Sequence, residues 1–121
     1  MATPEGKVKE QVKKLLRKHG VYWHCPVQNG MGSPSLDFIC CAWGHYLAIE
    51  TKAPGKEPTP RQWNTIEAIE KSGGTVIVID SVENCANLVA WLTSKQPKVN
   101  EYAGALHTWV TQNQTKIQNP K

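Results

Sequence analysis

The sequence predicts an α/β domain in which helices flank a mixed β-sheet of about four strands. Two arms rich in strand-forming residues, 36–42 and 45–51, are separated by Trp43-Gly44, which predicts a β-hairpin. A strand–helix–strand succession follows, which favours a crossover connection and a parallel neighbour for the second arm. With 121 residues, of which 40% are hydrophobic and 20% charged, the chain fits one globular domain.

The first helix is predicted over residues 4–19. Thr3 is a suitable N-cap, Pro4 fits the first helical position, and Gly20 suits the left-handed position after the helix. An apolar stripe at helical spacing predicts the buried face, and lysines and Arg17 occupy much of the remaining surface. The stripe consists of Val8, Val12, Leu15 and Leu16.

The middle of the chain predicts a first strand over 21–26, a glycine- and serine-containing loop over 27–35, and a second helix from Pro60 to about Ser72. Thr59 and Gln62 have the spacing of a capping box at the start of that helix. Its sheet-facing residues are expected to be Trp63, Ile66 and Ile69.

The apolar run 75–80 predicts a buried strand because no polar side chain interrupts its middle. Ser81 is expected to cap a third helix over about 82–93 that buries Leu88 and Leu92. A further helical stripe over 99–110 lies in residues 98–121, which we expect to form a C-terminal helical extension of the same domain as residues 1–97.

The net charge of +4 is unevenly distributed, because basic residues are concentrated in the first eighteen positions. This distribution favours a polyanionic partner such as nucleic acid, although a solvated helix face remains an alternative. No apolar run reaches transmembrane length and no signal peptide is evident, so a cytoplasmic location is expected.

The four cysteines show no metal-ligand spacing, and adjacent Cys40 and Cys41 would point to opposite faces of a strand. Free thiols are therefore favoured over structural zinc.

The candidate functional residues lie at the open end of the predicted hairpin. A turn at Trp43-Gly44 places Asp37 opposite Glu50, and Lys52 points to the same face as Glu50. Two carboxylates facing each other among apolar residues need protons, cations or a metal to persist. The alternative is that these are solvated strand-end charges, with Lys52 as an ion-pair partner.

This arrangement, Asp37 followed after twelve residues by Glu50-Thr51-Lys52, resembles the core of the PD-(D/E)XK nuclease superfamily. The similarity is greatest to its VRR-NUC branch, in the small stand-alone version found in phages. It extends over residues 5–81, about two-thirds of the chain, and one departure is that Leu36 stands where the family commonly has a proline before the aspartate. Further matching motifs are Glu5-x-x-Val8, Gly32 through Asp37, Ala53-Pro54-Gly55-Lys56, Thr59-Pro60-x-Gln62 and Gly73-Gly74.

The resemblance implies a restriction-endonuclease-like core and a metal-dependent endonuclease acting on DNA, including branched DNA such as four-way (Holliday) junctions. It implies that Asp37 and Glu50 bind Mg²⁺ or Mn²⁺ and that Lys52 assists hydrolysis. Further metal ligands are expected to be Glu5, with Glu10 as its alternative, and the Thr51 backbone carbonyl. Gln62 is expected near the substrate phosphate. The residues expected to contact the nucleic acid are Lys13, Lys14, Arg17, Lys56 and Arg61.

Two other functions remain open: a nucleic-acid-binding module that has lost catalysis, and a metal-dependent enzyme acting on a small phosphorylated substrate. The resemblance also implies a homodimer, because a twofold dimer presents two active sites to a twofold junction. The 99–110 stripe is one candidate interface, although this segment could instead cover the sheet of its own chain. A phage-encoded protein would act in the host cytoplasm.

Overall fold

The computed structural model describes residues 3–27 and 34–97. Within them a four-stranded sheet has the order β1-β2-β3-β4, in which β2 is antiparallel to both its neighbours and β3 is parallel to β4. The predicted α/β class with a mixed sheet of about four strands is therefore confirmed. The elements are α1 (Pro4–Lys18), β1 (Tyr22–His24), β2 (Phe38–Ala42), β3 (His45–Thr51), α2 (Pro60–Lys71), β4 (Thr75–Ile79) and α3 (Cys85–Lys95).

The helices cover the two faces of the sheet unequally. The larger core joins residues of α1 and α3 to Phe38, Leu47 and Ile49. A smaller core lies under α2 and contains Leu36, Ala48 and Ile66. Because β2 and β3 are the central strands, the hairpin is buried by helices on both of its faces.

The hairpin has the predicted register, from Ala42 paired with His45 to Phe38 paired with Ile49. Trp43 and Gly44 both adopt left-handed backbone conformations, with φ of 50° and 85°, as in the tight turns that match strand twist. This conformation costs a non-glycine residue about 1–2 kcal/mol. The Trp43 side chain packs against the larger core, which offsets that cost.

Both termini of helix α1 have the capping residues that the sequence predicts. The Thr3 hydroxyl accepts a hydrogen bond from the Gly6 N–H at 3.0 Å, and Gly20 has a φ of 70° just beyond the helix. Val8, Val12 and Leu16 are fully buried, and the fourth residue of the stripe is partly buried against the same core. The helix is therefore held in place by its apolar face, which leaves most of its basic residues exposed.

Three expectations for the second half of the chain were wrong in detail. Strand β4 lies at the sheet edge, so only its last residue, Ile79, is fully buried. Trp63 is 50% exposed, because the contact between α2 and the sheet is made by Ile66 and Ile69. Helix α3 begins at Cys85, and the Ser81 hydroxyl instead accepts from the Asn84 N–H within the turn that precedes the helix.

The four cysteines are free thiols: Cys40 and Cys85 are buried, and Cys25 and Cys41 are exposed. None of the helices in the described parts of the chain combines the length and apolar character needed to cross a membrane. Residues 28–33 of the predicted loop, and the whole extension 98–121 with its candidate dimer stripe, lie outside the described residues.

Candidate functional site

The two predicted acidic residues meet at the open end of the hairpin. Glu50 is next to last in β3 and is only 2% exposed, whereas Asp37 immediately precedes β2. Glu50 Oε1 accepts a hydrogen bond from the Asp37 N–H at 3.2 Å. Asp37 Oδ2 accepts two, from the Thr51 N–H at 2.9 Å and from the Thr51 hydroxyl at 2.7 Å. Each carboxylate is thus fixed by the opposite arm of the hairpin.

The second oxygen of each carboxylate faces a lysine. Lys52 Nζ lies 3.5 Å from Glu50 Oε2, and Lys9 Nζ lies 4.0 Å from Asp37 Oδ1. Lys9 also lies 3.7 Å from Glu5 Oε2, one turn earlier in α1. Each acid therefore uses one oxygen for its own positioning and presents the other to a positive charge.

The pKa of Glu50 is raised to about 7, first by burial and second by the negative charge of the neighbouring Asp37. The Lys52 ammonium and the hydrogen bond from the Asp37 backbone act in the opposite direction but do not cancel the increase. An additional cation near Glu50 Oε2 would therefore stabilise the charged form of this carboxylate.

The donor chemistry fits a hard divalent cation such as Mg²⁺, which prefers oxygen ligands. The backbone hydrogen bonds of the described residues use Asp37 Oδ2 and Glu50 Oε1, which leaves Asp37 Oδ1 and Glu50 Oε2 as possible metal ligands. No group of three His, Cys, Asp or Glu side chains within residues 3–27 and 34–97 is arranged to hold a metal at once. Glu5, the predicted third acid, contacts the same Lys9 ammonium as Asp37 does, at 3.7 Å and 4.0 Å respectively.

Two other predicted residues have local partners. Glu10, the alternative to Glu5, pairs with Lys13 at 3.3 Å and is exposed. Gln62 forms the predicted capping box: its Oε1 accepts from the Thr59 N–H at 2.9 Å, and its N–H donates to the Thr59 hydroxyl at 3.2 Å. The side-chain oxygen of Gln62 therefore has a structural role at the start of α2.

The predicted nucleic-acid-binding residues lie on two elements. Lys13, Lys14 and Arg17 are on α1, where the Arg17 guanidinium lies 5.5 Å from the ring centre of Trp23. Lys56 and Arg61 are exposed in the segment that leads into α2 and in its first turn. Arg61 also lines a groove of about 840 Å³ beside α2, whose lining does not include either acidic residue.

Sequence reasoning missed the roles of Lys9 and of the Thr51 side chain. The basic pattern of α1 predicts no specific contact for Lys9, although its spacing of four from Glu5 places both residues on one helix face. Thr51 was expected to contribute only its carbonyl, whereas its buried hydroxyl fixes Asp37. Sequence alternation cannot show the second contact, because it depends on how Asp37 turns at the start of β2.

No family model and no curated protein matches the chain. A solved structure described as a VRR_NUC domain is similar to it, with a TM-score of 0.65 and 24% sequence identity, over 74% of this chain and 97% of that one. The resemblance predicted from the sequence is confirmed at the level of structure: the chain has the fold of a VRR_NUC domain.

Proposed function

We propose that this protein is a divalent-metal-dependent endonuclease that hydrolyses phosphodiester bonds in DNA. The observation that supports this most directly is that Asp37 and Glu50 meet at one end of the hairpin, joined by a 3.2 Å hydrogen bond, with Lys52 beside them. The fold is that of a nuclease domain, which is consistent with the proposal.

Asp37 and Glu50 would hold Mg²⁺ or Mn²⁺, with Glu5 and the backbone carbonyl of Thr51 as further ligands. Bound there, the cation would lower the pKa of a coordinated water and offset negative charge on the phosphate. The Thr51 hydroxyl keeps Asp37 oriented through its 2.7 Å hydrogen bond.

Lys52 is the residue best placed to assist the reaction. Its side chain is 14% exposed and its ammonium lies 3.5 Å from Glu50, so it is held beside the carboxylates and partly shielded from water. From this position it would orient the attacking water or stabilise the negative charge that develops on the phosphate oxygens. Gln62, in the first turn of α2, would contact the substrate phosphate.

The substrate that we propose is structured DNA, such as a four-way junction, bound by a homodimer. Exposed basic residues on α1, with Lys56 and Arg61, would contact its phosphates. A twofold dimer would place two sites on a junction of matching symmetry. Light scattering tests this arrangement, because a mass near the 13.5 kDa of one chain would contradict the dimer.

The activity is tested with labelled linear, flapped and four-way DNAs, and an RNA duplex, each incubated with Mg²⁺, Mn²⁺ or EDTA. We expect cleavage of DNA with either metal, none with EDTA, and cleavage at least about 100-fold slower by Asp37→Asn. Full activity of Asp37→Asn would contradict the site, and no cleavage of any DNA would contradict the function.

One observation favours a second function, binding without cleavage. Lysines face both outward carboxylate oxygens, and the third acid contacts the same Lys9 ammonium as Asp37 does. In that case DNA would be retarded in a gel with Mg²⁺ present and would remain intact.

A further inference from the structure

Lys9 occupies a position that its place on α1 alone does not explain. Its pairing with Glu5 is the ordinary contact between residues four apart on a helix. Its second contact, with Asp37 at 4.0 Å, joins it to the hairpin across the space between two elements. The Lys9 ammonium therefore contacts two carboxylates that are separated by more than thirty residues in the chain.

The charges around this point explain why a lysine is stable there. Glu5, Asp37 and Glu50 bring three carboxylates towards one region, and Lys9 and Lys52 supply two ammonium groups. Without a positive charge at Lys9, Glu5 Oε2 and Asp37 Oδ1 would lose the ammonium group that lies within 4.0 Å of both. The repulsion among the three carboxylates would then be less compensated.

We propose that Lys9 is an internal competitor of the metal. Its ammonium holds the place of the cation between Glu5 and Asp37 in the metal-free protein and must withdraw before those two carboxylates can bind the same ion. The inference rests on the proposed metal site, and it concerns how tightly that site binds rather than which reaction it performs. Lys9 thereby limits metal affinity and keeps the acidic cluster stable when no metal is bound.

The test compares Lys9→Met with Lys13→Met by calorimetric titration with Mn²⁺ in the absence of DNA. Both changes remove one positive charge from α1, but Lys13 pairs only with Glu10 among the described residues. Removing a positive charge about 4 Å from a ligand oxygen should increase the affinity for a metal cation about fivefold where the site is exposed to water. We expect Lys9→Met to bind Mn²⁺ about fivefold more tightly than Lys13→Met.

Equal affinity of the two variants, or weaker binding by Lys9→Met, would overturn the proposal. The same titration on Asp37→Asn separates this failure from failure of the proposed function. If wild-type Mn²⁺ binding is lost in Asp37→Asn while the two lysine variants are equal, the metal site stands and the role of Lys9 is wrong. If no variant binds Mn²⁺, both proposals are wrong.

A second measurement needs no metal. In EDTA, Lys9→Met should lower the melting temperature more than Lys13→Met does, because it leaves Glu5 and Asp37 without their shared counter-charge. Lys9→Met should lower the melting temperature less in an Asp37→Asn background, because the asparagine side chain is neutral and does not repel Glu5. An equal loss in both backgrounds would show that Lys9 and Asp37 are not coupled, and would overturn the proposal.

Discussion

Glu50 receives a hydrogen bond at 3.2 Å from the backbone N–H of Asp37, the residue whose negative charge most opposes its own ionisation. Asp37 therefore has two opposing effects on Glu50: its backbone N–H stabilises the Glu50 carboxylate, and its side-chain charge repels it. The contact also links the position of Glu50 to the start of β2. A change that separates the hairpin arms would alter charge and geometry together.

The first prediction concerns the acids and Lys52. Asp37→Asn, Glu50→Gln and Lys52→Ala should each lower the rate of DNA cleavage by at least about 100-fold, as the loss of one electrostatic contact at a reaction centre commonly does. The two amides keep an oxygen that can accept the hydrogen bonds from Thr51 and from the Asp37 backbone, so circular dichroism should show an intact fold. Glu10→Gln is the control, and full activity in any of the three variants contradicts their assignment.

The second prediction is a pH dependence of stability without metal. The pKa of Glu50 is raised from 4.5 to about 7, so between these values the folded protein binds more protons at this site than the unfolded chain does. The free energy of unfolding should then fall as pH rises through this window and level off above it, by up to about 3 kcal/mol.

Urea unfolding at pH 4.5 to 8 in EDTA measures this slope. Glu50→Gln should remove it, whereas Glu67→Gln, which changes an exposed glutamate on α2, should leave it. If the wild-type protein and Glu50→Gln have the same slope, Glu50 does not titrate with a raised pKa.

The third prediction separates two roles of Gln62. Gln62→Glu retains a capping box, because a glutamate at this position can accept the Thr59 N–H, whereas Gln62→Ala removes it and should cost about 1 kcal/mol of stability. If the amide contacts the substrate phosphate, Gln62→Glu should be as stable as the wild type and yet cleave slowly. Full activity with Glu would leave Gln62 with only its structural role.

The fourth prediction concerns the basic face of α1. With Ca²⁺ in place of Mg²⁺, we expect DNA to bind uncut and the affinity to fall steeply with salt. Replacing Lys14 and Arg17 with Glu should weaken binding strongly and reduce the salt slope. The same charge change at Lys71 and Lys95, on α2 and α3, is the control. Equal binding by the two double variants would show that the α1 face is merely solvated.

The sequence predicted those features that one element determines by itself. The caps at Thr3 and Thr59 and the hairpin register depend on local spacing, and each was found where expected. The contact of Lys9 with Asp37 and the exposure of Trp63 depend on how a helix is placed against the sheet, which periodicity does not specify. The site was therefore predictable to the extent that it belongs to the hairpin, and not where α1 enters it.

The left-handed turn at Trp43-Gly44 has no chemistry of its own, yet it determines which side chains reach the carboxylate cluster. Five strand positions, about 17 Å, separate His45 from Glu50. If a residue added to the turn shifted the pairing of β2 with β3 by one position, Glu50 would point to the opposite face, among the side chains packed under α1. The region around 43–44 should therefore tolerate changes of side chain far better than changes of length, although it lies at the far end of the strand from the acids.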